Sequence, residues 1–218
     1  MNSLTEENYL KTLLALSAKN NEVTVNDLAH QLGIKMPTVT SMMKKLNSKK
    51  LVVYESYKPI KLTDKGKKEA AKIVRKHRLT EMFLVEKMGF GWEEVHEIAE
   101  QIEHIQSPMF FDKMDHLLGY PKIDPHGSPI PDKLGKIESI AHVKLSECNV
   151  GDKLILRTIS DSSVEFLNFL NSRELKLGLT FKVNSKESFD GTMSVTVGKR
   201  NETLSRMVSE KLMMERIS

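Results

Sequence analysis

Cysteine is nearly absent from this chain: Cys148 is the one thiol among 218 residues. An internal disulfide is thereby excluded, and a reducing cytoplasm is the expected compartment. No apolar run approaches the roughly 20 residues of a membrane span, and the N-terminus carries no apolar signal segment. A Gly-rich phosphate loop and a nucleophile elbow are both missing. His96-Glu97 followed by Glu100 leaves the HExxH zinc-protease pattern incomplete. Neither an internal repeat nor a low-complexity tract is present. These absences point to a cytoplasmic protein that is not an enzyme, with no membrane partner and no small-molecule substrate. At 39% hydrophobic residues a packed core forms without staples, and the length suits two or three small domains.

Charge is segregated along the chain. Residues 1–90 carry 17 Lys+Arg against 9 Asp+Glu, residues 91–131 carry 2 against 8, and residues 132–218 carry 14 against 12. A basic front favours a polyanion such as DNA, and an acidic middle favours cations.

The acidic middle contains WEEVHEIAEQIEHIQ, residues 92–106, which reads as one helix. His96, Glu100, Glu103 and His104 recur in it at offsets of zero, four, seven and eight. At about 100° per residue they share a stripe roughly 100° wide. Glu93, Glu94 and Glu97 fall off that stripe and read as solvated. A second fragment, RKHRLTE, places His77 and Glu81 four apart on another helix. A lone helical histidine is usually a surface or core residue, but two helices with His/Glu pairs point to a divalent cation. Imidazole and carboxylate without thiolate select harder first-row ions, Mn²⁺ or Fe²⁺, with Co²⁺ and Zn²⁺ as surrogates.

The basic front reads as helix, helix, Gly-containing turn, helix and ribbon. Residues 4–18 form an amphipathic helix with Thr5 as its expected cap. Residues 25–32 form a short helix closed by Gly33, and residues 37–49 another with Pro37 in its first turn. Residues 51–62 read as two short strands around a turn, and Thr63 caps a long helix to about Met88. This is a winged helix-turn-helix pattern. Val39, Met42, Met43 and Leu46 face the core at helical spacing. The opposite face offers Thr38, Thr40, Ser41, Lys44 and Lys45, with Lys35 and Pro37 at its N-terminal end. Short hydroxyls and lysines suit phosphates and base edges. Lys58, with Tyr54 and Tyr57, would stand on the wing.

Beyond the middle, Ser107-Pro108 starts a further helix, and residues 119–135 hold four prolines in a loop. Short β-rich runs follow, LILRTI, TFKVNS and TMSVTVG, with a helical insert at 163–172, which points to a small antiparallel barrel.

TEENYLKTLLAL, the helix-turn-helix, LTDKGKK, RKHRL and WEEVHEIAEQIEH together resemble the diphtheria-toxin-repressor family of metal-dependent transcriptional repressors, closer to its manganese-responsive branch. DPHGSPIP, residues 124–131, is similar to the loop of the three-domain members. The resemblance implies a mainly α fold with a small β part: a winged helix-turn-helix over 1–64, a helical metal-binding and dimerisation domain over 65–135, and an SH3-like FeoA-type barrel over 140–218. It implies a primary metal set of Asn8, Glu100, Glu103 and His104. A second set would draw on His77, Glu81 and His96, joined by Asp124 and His126 of the loop and by Asp161. Glu100 stands where the iron-responsive branch has Cys, which leans towards manganese. Lys11 stands where members with a binuclear site have Glu, and argues against that arrangement.

The function so implied is a repressor of metal-uptake genes that binds a palindromic operator as a homodimer when metal-loaded. The alternative is a winged-helix regulator that answers an organic ligand and keeps its metal sites for structure. A metalloenzyme would need a general base that no residue supplies.

Overall fold

A computed structural model describes residues 2–19, 22–138 and 140–217. Its chain forms two compact units. One comprises Met1–Thr80, Ile98–Lys122 and Ile130–Glu138; the other comprises Glu81–Glu97, Ile123–Pro129 and Ser139–Ser218. Residues 65–135 divide between the two.

The first unit begins with helix α1 (Leu4–Lys19). Its cap is Ser3 rather than Thr5. The Ser3 amide donates to Glu6 Oε2 at 2.7 Å, and the Glu6 amide donates to Ser3 Oγ at 3.3 Å. A reciprocal capping box needs an acidic or amide side chain long enough to reach back from the third helical position; Ser3 finds Glu6 there, whereas Thr5 finds the shorter Asn8. Helix α2 (Val25–Leu32) has the same device in Thr24 and Asp27, and Gly33 closes it at φ 64°. Helix α3 (Met36–Ser48) follows, with Pro37 in its first turn and Val39, Met43 and Leu46 fully buried. Strands β1 (Val52–Val53) and β2 (Lys61–Leu62) pair antiparallel as the wing, and exposed Tyr57 stands between them at φ 65°. Leu10, Leu13, Leu28, Val39, Met43, Leu46, Ile60 and Ala70 fill the core.

Helix α4 (Asp64–Met88) is capped as expected by Thr63, whose Oγ1 accepts from the Gly66 amide at 3.0 Å. The expected single helix over 92–106 is shorter. Residues 92–95 form turns, closed by the Gly91 amide on Glu94 Oε2 at 2.7 Å. Only α5 (His96–Ile102) is regular, and Glu103 and His104 lie in the turn after it. Helix α6 (Pro108–Leu117) starts at its Ser107 cap. Arg75 holds α6 and the following chain to α4, donating to Asp115 Oδ2 at 2.5 Å and to the Pro131 carbonyl at 2.6 Å.

In the second unit, β3 (Val143–Lys144), β4 (Lys153–Ile159), β5 (Thr180–Lys186), β6 (Met193–Val197), β7 (Arg200–Leu204) and β8 (Leu212–Arg216) form one antiparallel sheet in the order β3-β8-β4-β5-β6-β7. Strict alternation puts Leu154 and Leu156 of β4, and Met193, Val195 and Val197 of β6, on the buried face. Helix α7 (Val164–Ser172) covers that face with Phe166, Leu167 and Leu170. Cys148 is buried in the same core. The register shifts at Leu156/Thr158 and Val183/Ser185, which bends the strands around it. A one-turn helix α8 (Arg206–Ser209) leads into β8. No helix among the described residues is long and apolar enough to cross a membrane.

Glu6 also joins α1 to α3. Its carboxylate is 1% exposed and lies 2.7 Å from Lys49 Nζ and 3.3 Å from Lys45 Nζ. Burial opposes ionisation, but Lys49, the Ser3 amide and Lys45 outweigh it and bring the carboxyl from 4.5 to about 2. Below pH 4.5 the unfolded chain takes up a proton that the folded chain refuses, so this stabilisation is lost as pH falls towards about 2. Glu6→Gln is expected to lower the unfolding free energy at pH 7 by about 1 to 2 kcal/mol, the lysines being partly screened by solvent. Urea unfolding at pH 7 and again between 4.5 and 2 checks this: the gap between the two proteins should close across that window.

Candidate metal centres

The first centre lies in the first unit, where α1, α4 and the end of α5 meet. Glu103 is fully buried and central to it. Its Oε1 lies 2.7 Å from Lys11 Nζ, and its Oε2 lies 2.5 Å from His77 Nδ1. Lys11 also donates to Glu100 Oε1 at 2.7 Å. One α1 ammonium thus sits between two carboxylates of the candidate set. His77, Glu100 and Glu103 each bring a ligand atom within 4.8 Å of the others. His104 Nδ1 donates to Glu7 Oε2 at 2.7 Å, because a carboxylate only accepts. The other nitrogen, Nε2, lies 3.6 Å from Glu103 Oε1. Asn8 Oδ1 is buried without a hydrogen-bond donor. A buried oxygen acceptor left in this way, like the carboxylates and imidazoles above, is a donor that a hard divalent cation takes.

The second centre lies in the second unit. Glu81, Asp124 and His126 are all buried, and each brings a ligand atom within 4.8 Å of the others. Glu81 Oε1 is 3.4 Å from Nδ1 of His96, the first residue of α5, and Glu81 Oε2 is 3.7 Å from His126 Nδ1. Burial pulls the His126 imidazole down, but the hydrogen bond and charge of Glu81, the charge of Asp124 and the Trp92 carbonyl outweigh it and leave its pKa raised. That balance marks a place where positive charge is favoured. The loop is rigidly built: Asp124 Oδ1 accepts the amides of His126 and Ser128 at 2.8 and 2.9 Å. It is pinned to β4 through the His126 carbonyl, which accepts Thr158 Oγ1 at 2.9 Å and the Ile159 amide at 3.3 Å.

Two expectations need correction. Asp161 does not reach this group. Lys211 pairs with its carboxylate, and the Ser163 amide donates to it at 2.8 Å, in the connection between β4 and α7. The four-residue stripe also fails to converge on one point. His96, at the start of α5, lies beside Glu81, while Glu100, one turn further on, and Glu103 lie beside Lys11. His77 has its Nδ1 on Glu103 at 2.5 Å. Sequence reasoning missed Glu7, and it read Glu93 as solvated, whereas Glu93 Oε2 accepts from Asn171 Nδ2 at 2.9 Å. Nothing in residue type separates Glu93 from its neighbour Glu94, which is exposed.

On α3, Lys35, Pro37, Thr38, Ser41, Lys44 and Lys45 are exposed and Thr40 is half-buried. Lys58 is exposed on the wing, 2.8 Å from Glu55. The exposed α3 residues offer hydroxyls and ammonium groups to solvent.

Fold and sites together define a winged-helix DNA-binding protein with two candidate metal centres. Family models match it in three consecutive stretches: the iron dependent repressor N-terminal DNA binding domain over residues 1–60, the iron dependent repressor metal binding and dimerisation domain over 63–132, and the FeoA domain over 143–216. The iron-dependent repressor IdeR of Mycobacterium leprae is 34% identical over 151 residues, 66% of this chain and 66% of that protein, just under two thirds of its length. A manganese-dependent transcriptional repressor in complex with manganese has a TM-score of 0.88 at 30% identity, over 97% of this chain and 100% of that one. ScaR with bound Zn²⁺ has a TM-score of 0.81 at 34% identity, over 97% and 99%. The chain belongs to the diphtheria-toxin-repressor family of metal-dependent transcriptional repressors.

Gly127 keeps the second centre's loop against β4. At φ 83° a Cβ there would lie 2.1 Å from the Arg157 carbonyl oxygen. Gly127→Ala should therefore cost about 2 to 3 kcal/mol through strain and overlap with backbone. Gly119→Ala, at φ 70° with open space around it, should cost only about 1 kcal/mol. Denaturant unfolding followed at Trp92, the chain's one tryptophan, compares them.

Proposed function

We propose that this protein is a Mn²⁺- or Fe²⁺-activated repressor of metal-uptake genes, binding a palindromic operator as a homodimer. The observation that carries this reading is the first centre. Lys11 of α1, in the DNA-binding part, pairs with Glu100 and Glu103 of the acidic segment, Glu7 of the same helix pairs with His104, and the Asn8 oxygen of that helix is buried without a donor. Asn8, Glu100, Glu103 and His104 would hold the primary ion. Glu81, His96, Asp124 and His126 would hold the second.

A bound divalent cation supplies the positive charge that these carboxylates and the Asn8 oxygen share. Such an ion favours one placement of α1 only through its differential affinity for that placement. Lys11 already neutralises part of the carboxylate charge, which supports a single ion in this centre. Glu7 orients His104, and Glu6, the next residue of α1, grips Lys49 just past the end of α3. Through α1, the metal ligand and the recognition helix thus share one rigid element.

Lys35, Thr38, Ser41, Lys44 and Lys45 suit phosphates and base edges in a major groove, and Lys58 suits the backbone beside it. Met109, Phe110 and Leu117 leave an apolar face of α6 exposed, which supports a second copy of the chain as partner. Two copies would present two recognition helices to two half-sites.

Fluorescence anisotropy on an uptake-gene promoter fragment tests this anaerobically at fixed salt. Tight binding is expected with Mn²⁺ or Fe²⁺ and not with chelator. Equal binding under chelation would favour a regulator answering an organic ligand. Glu103→Ala should weaken the metal-dependent binding by at least roughly tenfold. Lys44→Ala should lower the slope of log affinity against log salt by about 1.

A further inference from the structure

Within the second unit, a chain of contacts leads from α7 to one of the metal-capable residues. Trp92 stands in the turn before α5 and holds His126 in two ways. Its carbonyl accepts from His126 Nε2 at 2.9 Å. Its indole stacks on the imidazole, with ring centroids 5.9 Å apart and planes 13° from parallel. The indole is itself tied: Nε1 donates to Asn171 Oδ1 at 2.8 Å. Asn171 Nδ2 then donates to Glu93 Oε2 at 2.9 Å. An indole N–H only donates and a carboxylate only accepts, so the Asn171 amide has a single orientation that serves both.

The Trp92 carbonyl determines the chemistry of the imidazole. Because a carbonyl only accepts, Nε2 carries a hydrogen, and Nδ1 is the nitrogen directed at Glu81, 3.7 Å from its Oε2. A ring turned over, or swung off the carbonyl, would present a different atom. The carbonyl and indole that prevent this belong to a turn rather than to a regular element. Asn171, in the last turn of α7, fastens that turn at two consecutive residues.

We propose that Asn171 is a positioning residue for the Glu81–Asp124–His126 centre: it clamps Trp92 and Glu93, and so keeps His126 presenting Nδ1 to a divalent cation. The proposal rests on reading that centre as a metal site. It gives the C-terminal β-sheet domain a part in metal binding without contributing a ligand, in keeping with the pairing of Asp161 to Lys211. Outer contacts of this kind, which fix the tautomer and angle of a ligating histidine, typically change metal affinity by 10- to 100-fold.

The test is anaerobic calorimetric titration of the full chain with Mn²⁺, with Trp92 emission and metal-free thermal unfolding followed in parallel. Glu81→Ala should lose one of the bound ions. Asn171→Ala should keep the number of ions, weaken one of them by roughly 10- to 100-fold, leave the other unchanged, and shift the Trp92 emission. Trp92→Phe retains the carbonyl and a stacking ring but lacks the indole N–H; it should weaken the same ion, and combining it with Asn171→Ala should add little. Trp92→Phe also keeps the test decisive if Asn171→Ala unfolds. Both ions bound with unchanged affinity, in Asn171→Ala with shifted emission or in folded Trp92→Phe, would overturn the proposal. Retention of every ion by Glu81→Ala would instead overturn the reading of the centre itself.

Discussion

A buried carboxylate has to be paired, and Glu103 is the one on which the DNA-binding unit turns. Its side chain has no exposure to water, and its two oxygens go to different helices: one to Lys11 of α1, the other to His77 of α4. Taking a carboxylate out of water costs several kcal/mol, and only close opposite charge and hydrogen bonds offset this. The positions of α1, α4 and the end of α5 are therefore coupled through one residue. Any change in the charge beside Glu103 acts on all three.

Helix α1 relays that coupling because consecutive side chains on a helix point about 100° apart. Glu6 goes to Lys49 and Lys45, and Glu7 goes to His104 and Gln106. Lys11, one turn after Asn8, goes to Glu100 and Glu103. The segment that caps the helix, grips the recognition helix and meets the acidic residues is only nine residues long, Ser3 to Lys11. A metal-responsive DNA-binding protein needs this economy, since an effector acts only where the two placements of an element differ in their contacts with it.

The second centre is assembled differently. Its ligand-capable residues come from α4, from the start of α5 and from a loop that has no regular structure. The loop is stiff because Asp124 accepts its own downstream amides, Gly127 admits a close approach of β4, and His126 is held by Trp92. Here the β-sheet domain acts as a mould for the loop.

Much of this was legible in the residues. Hydrophobic spacing, Gly33, Pro37 and Thr63 marked α2 to α4, because caps and periodicity are local properties. Alternation in LILRTI and TMSVTV marked β4 and β6 for the same reason. The residue types at 77, 81, 96, 100, 103, 104, 124 and 126 determined that the chain offers imidazole and carboxylate to hard cations. Tertiary structure decided which of them meet. It gave His96 and Glu100, both within α5, different neighbours, put the Lys11 ammonium between two carboxylates, and gave Asp161 to Lys211. It also drew Glu93 and Trp92 to Asn171, some eighty residues away along the chain. Propensity acts over a turn or two of backbone, whereas the pairing of a buried charge depends on whatever the packed core brings beside it.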